Sequence, residues 1–171
     1  MLGILPHHGM ALSLLDLSSE YGQPAVLLSL DLHCFNRPFD DRSQDRMARA
    51  TAAIVSVLQR IIDGIAHLAW SAMMDFEHAQ HPLLDRRTGI ARWAQRAVAN
   101  VGISEQVSAR AQALTEVGFG ALDAARVACA EAAACDCRLT CDDRLIRATR
   151  RVQLAVRVQN PVDYVEEHTH G

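Results

Sequence analysis

Four acidic residues stand at places where a charge has a conspicuous neighbourhood. Asp31 closes the apolar run "AVLLSLD", Glu77 lies in "SAMMDFEH", Asp123 opens the alanine-rich segment "ALDAARVACAEAAACDC", and Asp142 follows "CRLT". Carboxylates brought to one point repel one another and raise each other's pKa unless a cation sits among them. Ligation by oxygen alone suits a hard cation, Mg²⁺ or Mn²⁺, with water completing the shell. Such a centre activates water and clamps the oxygens of a phosphodiester, and a two-metal version spaces its ions roughly 4 Å apart. This is nuclease chemistry without a nucleophilic side chain.

Each acid also has an ordinary structural reading. Asp142 is a good N-cap for a following helix, and Thr140 with Asp143 has capping-box spacing. Asp123 in a first helical turn is favoured by the helix dipole. Glu77 reads equally as a solvated helix residue, with Asp75 two positions away and open to confusion with it, and Asp31 as a turn residue at a strand end. Asp143 stands in the same relation to Asp142. The argument for chemistry is therefore the pattern of the four, not any one of them.

The elements that must position these acids alternate along the chain. "AVLLSLD" is a short continuous apolar run, the mark of a strand buried on both faces. "CFNRPFDDRS" reads as a loop, after which Ser43 can cap the helix "QDRMARATAAIVSVLQRII", ended by Gly64. "IAHLAW" predicts a second strand, followed by the helix "SAMMDFEHAQ" stopped by Pro82 and a further helix through "RRTGIARWAQRAVA". "NVGIS" is a brief strand before the helix "EQVSARAQALTEV". Then come a helix over 120–134, a strand over 137–140, the helix "DDRLIRATRRV", the strand "LAVRV" and a final turn or short helix, "NPVDYVEE". Alternating strands and helices predict right-handed βαβ units, hence an α/β fold with a parallel sheet of about five strands between helices in three layers. In open sheets of this kind ligands bind outside the carboxyl ends of the strands. Asp31 and Asp142 share one edge if the first and fourth strands are neighbours, and Glu77 and Asp123 can point in from flanking helices.

The 171 residues suffice for one ordinary domain. Residues 1–24 have no clear period and read either as a poorly ordered leader or as sequence ahead of a working start at Met10; the domain is expected over 25–167. Half the chain is apolar and the formal net charge is −3, which argues against a protein that coats nucleic acid electrostatically. All 17 basic residues are arginine. Arg144, Arg147 and Arg151 have the i, i+3, i+7 spacing of one helix face, and with Arg37 in the first loop they could hold RNA phosphates; the alternative is a solvated face. The chain shows no secretory signal and no apolar run long enough for a membrane helix, so a cytoplasmic protein with reduced thiols is expected. Cys129, Cys135, Cys137 and Cys141 lack the paired knuckles of a structural zinc site, and buried core thiols are the expectation.

The segments "LDLHCFNRPFDD" (30–41), "SAMMDFEH" (71–78), "ALDAARVACAEAAACDCRLTCDDRLIRA" (121–148) and "VRVQNPVDY" (156–164) together resemble the PIN-domain family, which includes the VapC-like toxin ribonucleases. The resemblance spans roughly 25–165. It implies a PIN-like fold and a metal-dependent endoribonuclease, with Asp31, Asp123 and Asp142 as ligands of Mg²⁺ or Mn²⁺ and Glu77 completing the catalytic set. It also implies an RNA substrate, a cognate antitoxin over the groove and paired protomers. The alternative is a PIN-like module that binds RNA or protein without turnover. The chain departs from the family at Leu32, His33 and Cys34, where many relatives have a small hydroxyl residue, and at Arg126, where many have histidine.

Overall fold

The computed structural model describes residues 25–36, 45–80 and 82–169. Along the chain these form β1 (Val26–Leu30), α1 (Leu32–Asn36), α2 (Asp45–Ile62), β2 (Ala66–Ser71), α3 (Ala72–Ala79) and α4 (Leu84–Ala94). They continue as β3 (Ala99–Val101), α5 (Glu105–Glu116), α6 (Ala121–Ala132), β4 (Cys137–Leu139), α7 (Asp143–Thr149), β5 (Arg157–Gln159) and α8 (Pro161–Thr169). The strands pair in parallel in the order β3-β2-β1-β4-β5. The expected three-layer α/β architecture is what the chain adopts.

Alternation along the strands builds the layers. Leu28, Leu30, Leu68, Trp70, Cys137 and Leu139 share a core with Ile54, Val57, Leu58 and Ile61 of α2 and Tyr164 of α8. The positions between them belong to the opposite face, where Leu27 and Ala69 join Leu114 of α5, Val127 and Ala130 of α6 and Leu145 of α7. Ser29 and Asp31 continue the alternation of Leu27, as Arg138 and Thr140 do on β4. The apolar pattern thus sets a short polar stripe on the α6 side of the central strands.

The central pair β1–β4 is also where the connections change direction. From β1 the chain winds outward to β2 and β3, then returns to place β4 and β5 on the other side. That is the topological switch point, where the crevice of an open sheet forms. Asp31 follows β1 and Asp142 follows β4, so both stand at its rim.

Several elements differ from the sequence reading in detail. Leu32–Asn36 forms a helix instead of loop, because Leu32, Cys34 and Phe35 are buried and the Phe35 ring packs on Trp70 and Trp93 at 5.8 and 5.7 Å between centroids. Packing, not propensity, holds so short a helix. Helix α4 starts at Leu84 and ends at Ala94, sooner than the apolar run predicts. β5 begins only at Arg157, three residues into the expected strand. α7 ends at Thr149, so Arg151 falls beyond it and does not share its face with Arg144 and Arg147. Gly64, at φ 73°, closes α2 as expected. Ser43, the proposed cap of α2, and the leader 1–24 lie outside the described residues. Among the described residues no helix is long and apolar enough to cross a membrane.

A charged clamp joins α5 and α6. Arg110 donates to both oxygens of Glu131 at 2.6 and 3.0 Å, and the Ala155 backbone N–H donates to the same carboxylate at 2.8 Å. Burial works to raise the Glu131 pKa, but the Arg110 hydrogen bond and the Ala155 N–H win and hold it below the usual value. A carboxylate depressed in the folded state contributes stability above its unfolded pKa, and that contribution is lost as pH falls through the folded value. Glu131→Gln is therefore expected to cost about 1–2 kcal/mol at pH 7 and much less at pH 3. Urea unfolding of both proteins at the two pH values checks this; an equal cost at both would contradict it.

Candidate functional site

Asp31 is 7% exposed, held by position more than by partners. Its backbone N–H donates to Leu139 O, which ties the end of β1 to β4 at 3.0 Å. Its Oδ2 accepts from the Thr140 hydroxyl at 3.0 Å, while its Oδ1 is buried without a hydrogen-bond partner. Buried polar atoms are nearly always satisfied, so a lone carboxylate oxygen at a crevice calls for an explanation. The Thr140 hydroxyl in turn accepts from the Asp142 N–H at 3.1 Å, which links the two strand-end acids through one threonine.

Glu77 and Asp123 are brought together from α3 and α6, and Arg126 is what joins them. Its Nε donates to Glu77 Oε1 and its Nη1 to Asp123 Oδ1, each at 2.7 Å. All three side chains are largely buried, at 18%, 15% and 29% exposure in that order. Burial opposes the Arg126 charge, yet the hydrogen bond and charge of Glu77, with the charges of Asp31 and Asp123, keep its pKa above the usual value. Asp75 is engaged elsewhere, its Oδ1 accepting from the Trp70 indole at 2.7 Å.

A second arginine lies beneath. Arg138, on β4, is 2% exposed and sits opposite Ser29 in the β1 register, donating to its hydroxyl at 3.0 Å. Burial pushes its pKa down and Arg126 adds to that, while Asp31, Cys34 and Glu77 pull it back. Three carboxylates, Asp31, Glu77 and Asp123, thus face two guanidiniums.

Asp142 serves the local structure first: its Oδ1 accepts from the N–H groups of Arg144 and Leu145 at 2.7 and 3.2 Å as the N-cap of α7. Asp143 pairs with Arg46 of α2. As the side chains stand, no three acidic, histidine or cysteine residues among the described ones are close enough to hold an ion together. The donor chemistry nevertheless fits a hard cation. Asp31 offers an unclaimed buried oxygen, and Glu77 and Asp123 each give Arg126 only one of their two.

Thiol chemistry has little support at this rim. The buried Cys34 thiol is pushed well up by its hydrogen bond to Cys141, then by burial and the Asp31 charge. Burial holds Cys135 and Cys137 near 12, so the thiolates that zinc would need are disfavoured.

α2, α7 and α8 enclose a cleft of about 590 Å³, lined by none of the four acids, in which Arg46, Arg49, Arg147 and Arg150 stand alongside Asp45, Asp143 and Asp163. Of the arginines singled out in the sequence, Arg147 lines this cleft, and Arg144 and Arg151 are exposed. Arg37 lies outside the described residues.

No family model matches the chain, and no curated protein matches it. Solved structures do share the architecture. FitAcB from Neisseria gonorrhoeae is 16% identical, with a TM-score of 0.51 over 78% of this chain and 97% of its own. VapBC2 from Rickettsia felis, bound to a DNA fragment from their promoter, is 12% identical, with a TM-score of 0.53 over 79% of this chain and 98% of its own. Both are PIN-domain structures. The chain has a PIN-like fold. At these identities the likeness speaks for the fold alone.

Within the PIN-like fold, sequence reasoning missed Arg138, read Thr140 only for capping, and noticed Arg126 only as a departure. A charge inside "CRLT", a short strand in an otherwise apolar helix–strand unit, was the available signal for Arg138. The i, i+3 spacing of Asp123 and Arg126 was the signal for their pairing. Nothing in the sequence points to Arg46, Arg49 and Arg150 meeting Arg147, since the cleft is assembled from three separate helices.

Proposed function

We propose that the chain is a metal-dependent endoribonuclease, the toxin of a toxin–antitoxin pair, which hydrolyses RNA phosphodiesters. The observation that carries this reading is the buried, unpartnered Oδ1 of Asp31 at the switch point of the sheet. Asp31, Asp123 and Asp142 would hold Mg²⁺ or Mn²⁺, with Glu77 completing the set. The bound cation would supply Lewis-acid stabilisation and a water of lowered pKa. The chain's own residues do the rest. Thr140 fixes the Asp31 carboxylate, and Asp142 keeps one oxygen for capping and offers the other. Arg147, with Arg144 and Arg151, Arg37 and the arginines of the cleft, would hold the RNA backbone as point and fork contacts to phosphate. The −3 net charge makes that hold local.

The neighbouring folds are toxin–antitoxin complexes, which supports an antitoxin as partner. Phe76 and Leu84, 54% and 70% exposed around α3 and α4, are apolar surface of the sort a protein partner or a second protomer covers. A binding module without turnover is the second reading, favoured by the engagement of Glu77 and Asp123 with Arg126.

Incubating the purified protein with single-stranded and structured RNA separates the two. Cleavage with Mg²⁺ or Mn²⁺ that stops on adding a chelator is the expected result. RNA binding without cleavage in any of these conditions would establish the binding module instead.

A further inference from the structure

Arg126 is not placed like an ordinary surface arginine. Its fork reaches two acids on different helices, and a third, Asp31, lies within electrostatic range. Two of the three acids are committed to it with short, largely buried hydrogen bonds, and the third keeps a buried oxygen free. A dication arriving at Asp31 therefore meets, with Arg138 counted, a neighbourhood only one charge short of neutral. It shares Glu77 and Asp123 with Arg126, which already takes one oxygen of each, and it is repelled by that guanidinium.

We infer that Arg126 is an internal competitor for the metal: its guanidinium fills the cation position among Asp31, Glu77 and Asp123, and a dication binds there only as the guanidinium leaves. The inference rests on the metal-dependent reading above. It leaves the resting cluster one charge from neutral, so that the acids are stable at the rim without an ion. Metal affinity is then the difference between two cations competing for one set of oxygens. An oxyanion that takes up the released guanidinium, such as an RNA phosphate, favours the exchange, since any ligand preferring the open arrangement shifts the balance toward it.

The test is Mn²⁺ titration by calorimetry on the full chain and on Arg126→Gln and Arg126→Lys. In parallel, Mg²⁺ is titrated into the unmodified protein while the ¹⁵N–¹H signal of Arg126 Nε is followed. Removing one positive charge a few ångströms from the ion is expected to tighten Mn²⁺ binding by at least about tenfold in Arg126→Gln. Lysine keeps the charge but cannot fork across both acids, so it should fall between the two. In the unmodified protein the Nε–H should be slow to exchange with water, and should lose that protection as Mg²⁺ saturates. The lysine variant and this signal decide the matter if Arg126→Gln does not fold. Equal affinities together with an unchanged Nε–H would overturn the competitor role and leave the ribonuclease reading standing. No binding to any of the three proteins would overturn both.

Discussion

Asp31→Asn is expected to lower the rate of RNA cleavage by at least about a hundredfold, the scale on which single preorganised electrostatic partners act. The change removes a charge and little else. Asparagine has nearly the same shape, and its carbonyl can still accept from the Thr140 hydroxyl now bound to Oδ2. The backbone link of residue 31 to Leu139 is untouched. The melting temperature should therefore move by no more than about 4 °C, roughly 1 kcal/mol for a chain of this length. Thr140→Val is the graded comparison. It leaves the charge and frees the carboxylate to turn, and loss of such an orienting contact typically costs about ten- to a hundredfold. Cleavage assays with melting curves on both variants check the pair of expectations. A cleavage rate unchanged in Asp31→Asn would mean that the crevice acids are not the reacting centre.

The extent to which this centre could be read from the sequence follows from which interactions are local. Apolar runs and their turn signals suffice to place β1, β2 and β4, and Asp31 and Asp142 follow because each directly ends or follows a strand. The adjacency of β1 and β4, a condition in the sequence reading, comes only from the order of the folded sheet. What the pattern does not carry is direction within the crevice. Asp142 has the residue type of a ligand and of a cap, and only the fold shows its Oδ1 turned to Arg144 and Leu145. Glu77 and Asp75 are two residues apart, and only the fold shows Asp75 on the Trp70 indole and Glu77 on Arg126. Arg126 reaches an acid 49 residues away, a pairing that no local rule contains. The short α1 is a similar case, since Phe35 is ordered by tryptophans from β2 and α4. Arg151 was misplaced for the opposite reason: the basic, helix-favouring run continues past Thr149 while the helix does not.

Arg138→Ala is expected to cost about 3–5 kcal/mol, the usual consequence of removing one member of a buried charged group. Against the 5–15 kcal/mol of a typical domain, roughly, that leaves a chain close to unfolding at 37 °C. Two effects are mixed in that figure, a void in the sheet face and the loss of a positive charge near Asp31 and Glu77. Arg138→Met separates them, because methionine fills much of the space without the charge. The arginine is costly in its own right: burial works against its charge, and its Nε has no hydrogen-bond partner. A sheet that needed only volume at this position would do as well or better with methionine. If Arg138 is kept to balance the acids above it, Arg138→Met remains destabilised and Asp31→Asn, added to it, restores part of the loss. If it only fills space, Arg138→Met unfolds like the unmodified protein and the second change rescues nothing. Urea unfolding of the four proteins in that cycle gives the coupling directly, free of the separate costs of each substitution. A positive rescue would make Arg138 the fixed counter-charge of the crevice, leaving Arg126 as the one that moves.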